Sequence, residues 1–411
     1  MSVTDQETKA SEAASRRDPL EVARELAPLI SGRAAAGEAA GKVDDEVLGR
    51  VLDELTYIWV PREYGGIEAE PSVLIDVVEE LSAADGSVGW CFMASASGTG
   101  GMMAMLPEGA ARALLDSPMP ATAGMVVPSG TARRVDGGYE VQGRFGFASG
   151  SSKAGWFLGG YRVIDASGEP VLDADGQPAV AVTIVPRERV RLLGNWDVVG
   201  LVGTSSEDYE VLPQFVPDDF IMMGALVSRI DAPLYKMGTK VLPGTGHGGF
   251  GLGVARRALE EFIPLAAAKS RPPSGILNRN TAIQRDYAQW MAHYKSARAF
   301  MHSAFTRLYE ATRDGKPTSY EMQADCRLSS TNALYMAAEV TRQVYLASGS
   351  VGLRNGSVIQ RCFRDAHAGV QHMFTAEHTY VDAGRIYLNT PGLTRQHLEM
   401  MTYTWAPPLA P

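Results

Sequence analysis

The side chains best suited to chemistry lie between residues 361 and 378, where a histidine follows an arginine and an aspartate. Histidine titrates near neutral pH, so His372 could take a proton from a small molecule and act as a general base. On an ideal helix Arg361, Asp365 and His372 lie within about 40° of one stripe, whereas His367 is rotated from His372 by about 140°. We expect Arg361 and Asp365 to form an intrahelical ion pair that sets local structure. A histidine satisfied within the core is the alternative for His372.

A metal site is another possible use of the same stretch. Asp365, His367, His372 and His378 match in type the set of two histidines and one carboxylate that binds iron. His367 and His372 do not share a helical face, so only a break in the helix would let them converge. We therefore expect no metal.

A glycine-rich stretch, Gly244-Thr-Gly246-His-Gly-Gly249, matches the GxGxxG fingerprint of dinucleotide-binding folds. It follows Pro243 rather than a strand, and the nearest acidic residues, Glu260 and Glu261, lie within the following helix. We expect a helix packed closely against a neighbour or a bound cofactor instead.

The composition limits the class of protein. The chain has 411 residues, of which 45% are apolar, so it can bury two or three cores. No apolar run reaches the roughly 18–20 residues that cross a bilayer, and the N-terminal residues lack a secretory pattern. We therefore expect a cytoplasmic protein that does not enter a membrane.

Charge and cysteine content exclude further classes. The net charge of −9 and the lack of long basic runs argue against nucleic-acid binding. Cys91, Cys326 and Cys362 are widely spaced and odd in number, which argues against a disulfide framework or a zinc site. We expect buried, inert thiols and a small molecule as the partner.

The elements that must position these residues follow an α–β–α order. Residues 1–18 are polar, and we expect a disordered tail there. Helical spacing of apolar residues predicts an N-terminal α-helical domain over residues 19–120. Short β-branched or aromatic segments between Gly, Asp and Pro turns predict a central β-barrel or sandwich over residues 121–232.

Helical spacing then returns and predicts a C-terminal four-helix bundle over residues 233–388. Gly349 has the position of a C-cap glycine, and the tail over residues 389–411 carries no pattern that predicts an element. The expected helices are residues 250–268, 283–314, 320–348 and 357–386.

Three stretches, taken in order, resemble the acyl-CoA dehydrogenase superfamily, and the similarity runs over about residues 20–388. In that superfamily an Arg-Asp-Ala-Arg helix leads to a catalytic glutamate, but here the glutamate position falls at about Met373, beside His372. The resemblance implies an α+β fold with the three domains given above. The three stretches are Val60-Pro-Arg-Glu-Tyr64-Gly65-Gly66, the segment from Glu79 to Ser87, and Gly143-Arg-Phe-Gly-Phe147-Ala148-Ser149-Gly150.

The departures point to one branch of that superfamily. The Ser87-Val-Gly-Trp90 turn, the stretch around Ser149, and His372 resemble the two-component (group D) flavin-dependent monooxygenases. The resemblance implies an oxygenase that takes reduced FMN or FAD from a separate NAD(P)H-flavin reductase. It would hydroxylate an aromatic or polycyclic small molecule with O2 through a C4a-(hydro)peroxyflavin. Several such enzymes carry a further histidine where this chain has Ala96-Ser97-Gly98, so the resemblance leaves the substrate open.

The resemblance also implies which residues hold the flavin. Ser149 would lie near flavin N5 with Phe147 as an apolar wall, and Ser151 is the second candidate. A serine that satisfies a hairpin backbone is the alternative for Ser149. Arg271 would reach the phosphates of a flavin held mainly by a neighbouring subunit, and Gly349 is counted with the cofactor-binding residues.

Trp90, Phe92 and Trp196 could wall a flat aromatic substrate, with core packing as the alternative for each. His247 could face the same pocket. The resemblance further implies a homotetramer. Two rival functions stay open: an acyl-CoA dehydrogenase-like FAD-dependent desaturase, with Glu377 as a possible base, and a flavin-free ligand-binding relative.

Overall fold

The computed structural model describes residues 17–224, 226–273 and 275–391. Residues 1–16 of the expected N-terminal tail and residues 392–411 of the expected C-terminal tail lie outside the described residues, so those two predictions stay predictions.

The first part of the described chain is helical, as the apolar spacing predicts. Two helices begin at aspartates, because a side-chain oxygen there can accept the free N–H groups of the first turn. Asp18 accepts the N–H of Leu20 at 2.8 Å, and Asp44 accepts the N–H of Glu46 at 3.0 Å. The helices are α1 (Pro19–Ala40), α2 (Asp45–Leu55), α3 (Pro71–Ala84), α4 (Gly86–Met105) and α5 (Glu108–Leu115).

Helix α4 corrects one detail of the sequence analysis. The residues from Ser87 to Trp90, expected as a turn, form the first turn of this helix. The reason is Asp85, whose carboxylate caps the helix by accepting the N–H of Val88 at 3.0 Å. Trp90 and Phe92 are therefore carried by a buried helix.

Seven strands form a mixed sheet in the order β5-β6-β2-β1-β3-β4-β7. Neighbours run antiparallel except β1 and β3, which are parallel. The loop after β2 lies against the loop before β6, where the N–H of Ala148 donates to the carbonyl of Glu207 at 2.9 Å. The strands are β1 (Thr122–Val135), β2 (Gly138–Phe145), β3 (Trp156–Ile164), β4 (Val180–Pro186), β5 (Val190–Leu192), β6 (Tyr209–Pro217) and β7 (Ile221–Met223).

Helices return after the sheet, and the mixed content confirms the α+β class. Tyr320–Ser348 has the predicted bounds and ends at Gly349, whose positive φ of 57° is one that glycine adopts most readily. The elements are α6 (Pro233–Lys236), α7 (Pro243–Ala268), the short strands β8 (Ser270–Arg271) and β9 (Gly275–Ile276), α8 (Thr281–Arg313), α9 (Tyr320–Ser348), α10 (Val358–Gly369) and α11 (His378–Tyr387).

The GxGxxG stretch lies inside α7, so it is a helix and not a dinucleotide loop. Its glycines bring α7 close to three other helices. A side chain at Gly244 would meet Ser330 of α9, one at Gly246 would meet Met93 of α4, and one at Gly249 would meet Val78 of α3. Close packing is therefore the structural reason for the glycines.

The predicted helix over residues 357–386 is wrong, because the chain leaves helical geometry after Gly369. Gly369 lies against the ring of Phe250 in α7, and a side chain larger than hydrogen would collide with that ring. Residues 370–377 form an irregular segment with one short 3-10 turn, Met373–Thr375, before α11 begins. His372 therefore lies outside both α10 and α11. The prediction that it shares one helical face with Arg361 is wrong.

None of the helices in the described ranges is long and apolar enough to cross a membrane. Within the same ranges no group of three or more histidine, cysteine and acidic side chains could hold a metal ion. The three cysteines are buried, as expected, and burial raises the pKa of the Cys91 thiol to about 12.

Candidate functional site

Five rings from three elements form an aromatic cluster: Trp90 of α4, His247 and Phe250 of α7, and His372 with Phe374 from the segment between α10 and α11. The centroids of the two imidazoles are 4.5 Å apart, and Phe374 stacks on His247 at 4.8 Å. Trp90 meets His247 edge-on at 5.5 Å and His372 at 5.6 Å. The structure thus brings together three residues that the sequence analysis proposed separately for substrate and catalysis, and it adds Phe250 and Phe374.

Hydrogen bonds assign opposite tautomers to the two histidines. His247 Nδ1 lies 2.9 Å from the carbonyl oxygen of Pro243, which can only accept, so Nδ1 carries the hydrogen. His372 Nδ1 accepts the N–H of Phe374 at 3.2 Å, so a neutral ring carries its hydrogen on Nε2. His247 Nε2 is therefore an acceptor and His372 Nε2 a donor.

Both rings are neutral at pH 7. Burial, together with a smaller effect of the neighbouring His372, lowers the pKa of His247 to about 3. Burial alone lowers the pKa of His372 to about 4. His247 Nε2 is buried and has no hydrogen-bond partner among the described residues. It is the freer acceptor of the pair, so the hydrogen bonds do not favour the base role that the sequence analysis gave to His372.

The expected ion pair between Arg361 and Asp365 is replaced by other contacts. Arg361 lies 3.8 Å from the carboxylate of Asp85 and 3.7 Å from that of Glu38. Asp365 accepts the backbone N–H of Leu201 at 2.7 Å. Burial raises the pKa of Asp365 to about 7, helped by the charge of Asp85. Asp365 therefore joins α10 to the loop before β6.

Ser149 ends a chain of hydroxyl groups built from the two facing loops. Its Oγ lies 2.6 Å from Ser206 Oγ, which lies 2.7 Å from Thr204 Oγ1. Thr204 Oγ1 donates to the carbonyl of Leu201 at 2.8 Å. Ser149 is 7% exposed and Ser206 is 3% exposed, so the chain is nearly dry. Ser151 is 1% exposed and stands apart from these hydrogen bonds.

Phe147 lies beside this chain and is the exposed apolar side chain of the loop. It has a φ of 64° and is 58% exposed, and its ring meets Trp196 edge-on at 6.2 Å. The indole N–H of Trp196 donates to the carbonyl of Leu201 at 3.2 Å. A left-handed backbone at a phenylalanine is strained, which is typical of a functional position. An exposed ring beside a buried hydroxyl chain fits one edge of a flavin.

Arg271 and Gly349 lie together, away from the hydroxyl chain in sequence. The Arg271 guanidinium donates to the carbonyl of Ala347 at 3.0 Å, and the Lys269 ammonium donates to the carbonyl of Ser348. A side chain at Gly349 would lie 3.0 Å from Lys269 Nζ and 3.3 Å from Arg271 Nη2. Two cations around a glycine suit the phosphate of a flavin.

Phe92 is the site prediction that the structure favours least. It is fully buried, and its ring lies 5.5 Å from that of Trp59. Core packing, the alternative, explains it. Residues that the sequence analysis missed are Phe374, Thr204 and Ser206. A Thr-Ser-Ser run between two strands was the available signal for the last two.

Comparisons with known proteins identify the family of the chain. The acyl-CoA dehydrogenase C-terminal domain model matches residues 245–377. The chain is 33% identical over 335 residues to indole-3-acetate monooxygenase of Pseudomonas putida, covering 80% of this chain and 82% of that one. It is 27% identical over 391 residues to the flavin-dependent monooxygenase oxygenase subunit HsaA of Mycobacterium tuberculosis, covering 89% of this chain and 94% of HsaA.

A solved structure shows the same fold. XiaF from a Streptomyces species, in complex with FADH2 and glycerol, superposes with a TM-score of 0.84 at 20% identity, covering 94% of this chain and 99% of XiaF. The family model, the fold and the identity to the Pseudomonas relative support the same conclusion. The chain belongs to the two-component flavin-dependent monooxygenases of the acyl-CoA dehydrogenase superfamily.

Proposed function

We propose that the chain is an oxygenase component that hydroxylates a small aromatic molecule with a ring N–H or an O–H group, such as an indole. The observation that carries the proposal is the pair of neutral histidines, whose rings lie 4.5 Å apart beside Trp90. One neutral donor and one neutral acceptor within an aromatic enclosure suit a flat, uncharged ring with one polar atom. The Pseudomonas relative carries indole-3-acetate in its name, which supports an indole ring as the part of the substrate that would lie beside the histidines.

Each residue of the site has a definite task in this proposal. His247 Nε2 accepts the hydrogen of the substrate N–H or O–H, and His372 Nε2 donates to an oxygen on the reacting side. Trp90 and Phe374 exclude water from the rings. Ser149 and Phe147 hold the edge of the flavin, and bound reduced flavin supplies the activation of O2.

The rival desaturase would need a carboxylate base near the substrate. Glu377, the candidate for that role, is exposed just before α11, and its side chain caps no N–H group there. The two histidines pack against the ring of Trp90, whereas Glu377 is exposed to solvent. The structure therefore favours the oxygenase over the desaturase.

Assembly and supply of the flavin complete the proposal. A separate NAD(P)H-flavin reductase would deliver reduced FMN or FAD, as the family implies. Leu346, Val351 and Leu353 are exposed apolar side chains around Gly349, at 55%, 45% and 69%. Such a patch suits contact with another copy of the chain, and it supports the homotetramer and the shared flavin site expected from the sequence. The three-domain layout and the cytoplasmic location also stay predictions.

The test is an anaerobic titration with reduced FMN and FAD, followed by stopped-flow mixing with O2 while absorbance is recorded with and without an indole. We expect a transient absorbance band distinct from reduced and oxidised flavin, and hydroxylated product when substrate is present. Ser149→Ala should shorten the lifetime of the transient absorbance band by about tenfold or more, because the flavin edge loses a hydrogen-bond partner. Immediate appearance of oxidised flavin in the wild-type protein would refute the proposal.

Matched controls separate these effects from general damage. Ser329 is a buried serine of α9 that donates to the carbonyl of Cys326 at 2.8 Å, so Ser329→Ala removes a similar hydroxyl elsewhere. His378 is exposed at the start of α11, so His378→Gln is the control for substitutions of His247 and His372. Both control variants should keep the transient band and the product yield of the wild-type protein.

A further inference from the structure

We infer that Thr204 and Ser206 fix the direction of the Ser149 hydroxyl and thereby make the flavin site prefer reduced over oxidised flavin. The inference rests on the proposed function only in taking Ser149 to face the flavin. The hydrogen bonds themselves belong to the protein alone.

The direction follows from the carbonyl at the inner end of the chain. The carbonyl oxygen of Leu201 can only accept, and it lies 2.8 Å from Thr204 Oγ1. Thr204 must therefore donate its one hydroxyl hydrogen to that oxygen. Ser206, 2.7 Å from Thr204, must then donate to Thr204. Ser149, 2.6 Å from Ser206, must donate to Ser206. The hydrogen of Ser149 points toward Ser206, and its oxygen lone pairs are left to accept a hydrogen bond from outside the chain of hydroxyl groups.

Reversing this order has a cost. If Ser149 turned its hydrogen outward, Ser206 would have to donate to Ser149 and Thr204 to Ser206. Thr204 Oγ1 and the carbonyl oxygen of Leu201 would then meet as two acceptors at 2.8 Å. Both hydroxyls of the inner chain are buried, at 1% and 3% exposure for Thr204 and Ser206, so water is not at hand to relieve that contact.

The flavin responds to the direction through N5. In reduced flavin N5 carries a hydrogen and donates, whereas in oxidised flavin N5 is an acceptor. A Ser149 oxygen that presents a lone pair can accept the N5–H of reduced flavin. It repels the N5 lone pair of oxidised flavin. The hydroxyl chain therefore supplies a structural cause for taking reduced flavin from a reductase and releasing it once oxidised.

Thr204→Val tests this inference. It removes the hydroxyl that donates to Leu201 and so fixes the direction of the other two hydrogen bonds, and it keeps the shape of the side chain. Leu201 keeps the indole N–H of Trp196 as a donor at 3.2 Å, so its carbonyl is not orphaned. Ser206, without Thr204 as acceptor, would donate to Ser149, and Ser149 would point its hydrogen outward. The quantity to measure is the Kd of oxidised FMN or FAD divided by the Kd of the same flavin when reduced, by anaerobic fluorescence titration.

Two variants complete the design. Thr204→Ser keeps the donor and should restore the wild-type ratio. Thr341 of α9 is fully buried and donates to the carbonyl of Ala337 at 2.7 Å, so Thr341→Val is a matched loss of hydroxyl outside the site. We expect the ratio to fall about fivefold or more in Thr204→Val, the effect of roughly one hydrogen bond, and to stay unchanged in the other two. Thermal unfolding of all three checks that each is folded.

The outcomes are distinguishable. A ratio in Thr204→Val within twofold of wild type, or equal to that in Thr341→Val, overturns the inference while flavin binding stands. If Thr204→Val fails to fold, Ser206→Ala takes its place, since it also frees the hydrogen of Ser149 and should lower the ratio. If wild-type protein binds neither redox state, the proposed function fails and the inference fails with it.

Discussion

The carboxylate of Asp365 accepts the backbone N–H of Leu201 at 2.7 Å, and the carbonyl of the same Leu201 accepts the hydroxyl of Thr204 at 2.8 Å. One residue thus links the buried end of α10 to the hydroxyl chain that ends at Ser149. Leu201 has a φ of 55°, a left-handed conformation that a branched-chain residue adopts only when its surroundings hold it. Asp365 provides that hold.

Replacing Asp365 by alanine should destabilise the protein by about 1–3 kcal/mol, because the N–H of Leu201 would be buried without an acceptor. Asp365→Asn should cost less, since the amide oxygen can still accept. Urea unfolding of both variants at pH 6 measures the difference. Equal losses in the two variants would mean that packing, and not the hydrogen bond, holds Leu201.

The same carboxyl group should make stability fall as pH rises. Burial and Asp85 raise the pKa of Asp365 to about 7 in the folded protein, against an ordinary value of about 3.9. The stability that the protonated carboxyl group contributes is fully present below pH 3.9, the ordinary pKa. It is lost as the pH rises through the folded pKa of about 7. The groups that face it are Asp85, Arg361 and Arg364.

Unfolding free energies measured from pH 4 to pH 8 check this effect. Relative to Asp365→Asn, the wild-type protein should lose stability with a slope of up to about 1.4 kcal/mol per pH unit between about pH 5 and pH 6, and the slope should flatten above about pH 7. Parallel curves for the two proteins would show that Asp365 does not titrate in this range.

The two buried histidines should act in the opposite sense. Their pKa values are lowered to about 3 for His247 and about 4 for His372, against an ordinary value of about 6.5. Stability from the neutral rings is present above 6.5 and is lost as pH falls toward those values. The variant His372→Phe should show a smaller loss between pH 6.5 and pH 4, whereas His378→Gln, at an exposed position, should behave as wild type.

His247 should discriminate between substrates by their hydrogen. Indole can donate its N–H to Nε2 of His247, but 1-methylindole cannot, so protein with bound flavin should bind indole about fivefold more tightly or better. In His247→Phe, which keeps an aromatic ring, the difference should vanish. Equilibrium dialysis of both ligands measures it, and an undiminished preference in the variant would assign the acceptor role elsewhere.

Close packing of α7 should be sensitive to one added methyl group. An alanine at Gly253 would collide with the backbone carbonyl of Glu79 in α3, so Gly253→Ala should destabilise by about 1–3 kcal/mol. Gly384 of α11 has nothing within 4 Å of the place where a methyl group would stand. Gly384→Ala should therefore stabilise by about 0.5–1 kcal/mol, because alanine loses less backbone entropy in a helix. Thermal unfolding of both variants compares the two.

Local patterns predicted local structure well. The apolar spacing predicted the α9 bounds, Tyr320–Ser348, and the alternation of residues 139–145 predicted β2, because both depend on neighbours within a few positions. The sequence also placed Phe147 and Ser149 near each other, because they stand in one short stretch, and their contact with a flavin stays a prediction. The end of α10 at Gly369 was not predicted; the lack of room for a side chain there comes from the ring of Phe250, which is distant in sequence.

The roles of the histidines lay further beyond sequence reasoning. Residue type identified His247 and His372 as candidates, but their tautomers depend on a carbonyl and an amide whose positions only the folded chain fixes. The partner of Asp365 was missed for a similar reason. A loop in the β region supplies the N–H, and helical periodicity carries no information about it.

The buried state of all three cysteines has a practical consequence for labelling. Burial raises the pKa of the Cys91 thiol to about 12 and that of Cys362 to about 12, so none of the native thiols should react with maleimides in the folded protein. Val199, 70% exposed and two residues before Leu201, offers a surface position for a single introduced cysteine. A fluorophore there would report on the loop before β6, and Val199 would be the only native residue replaced.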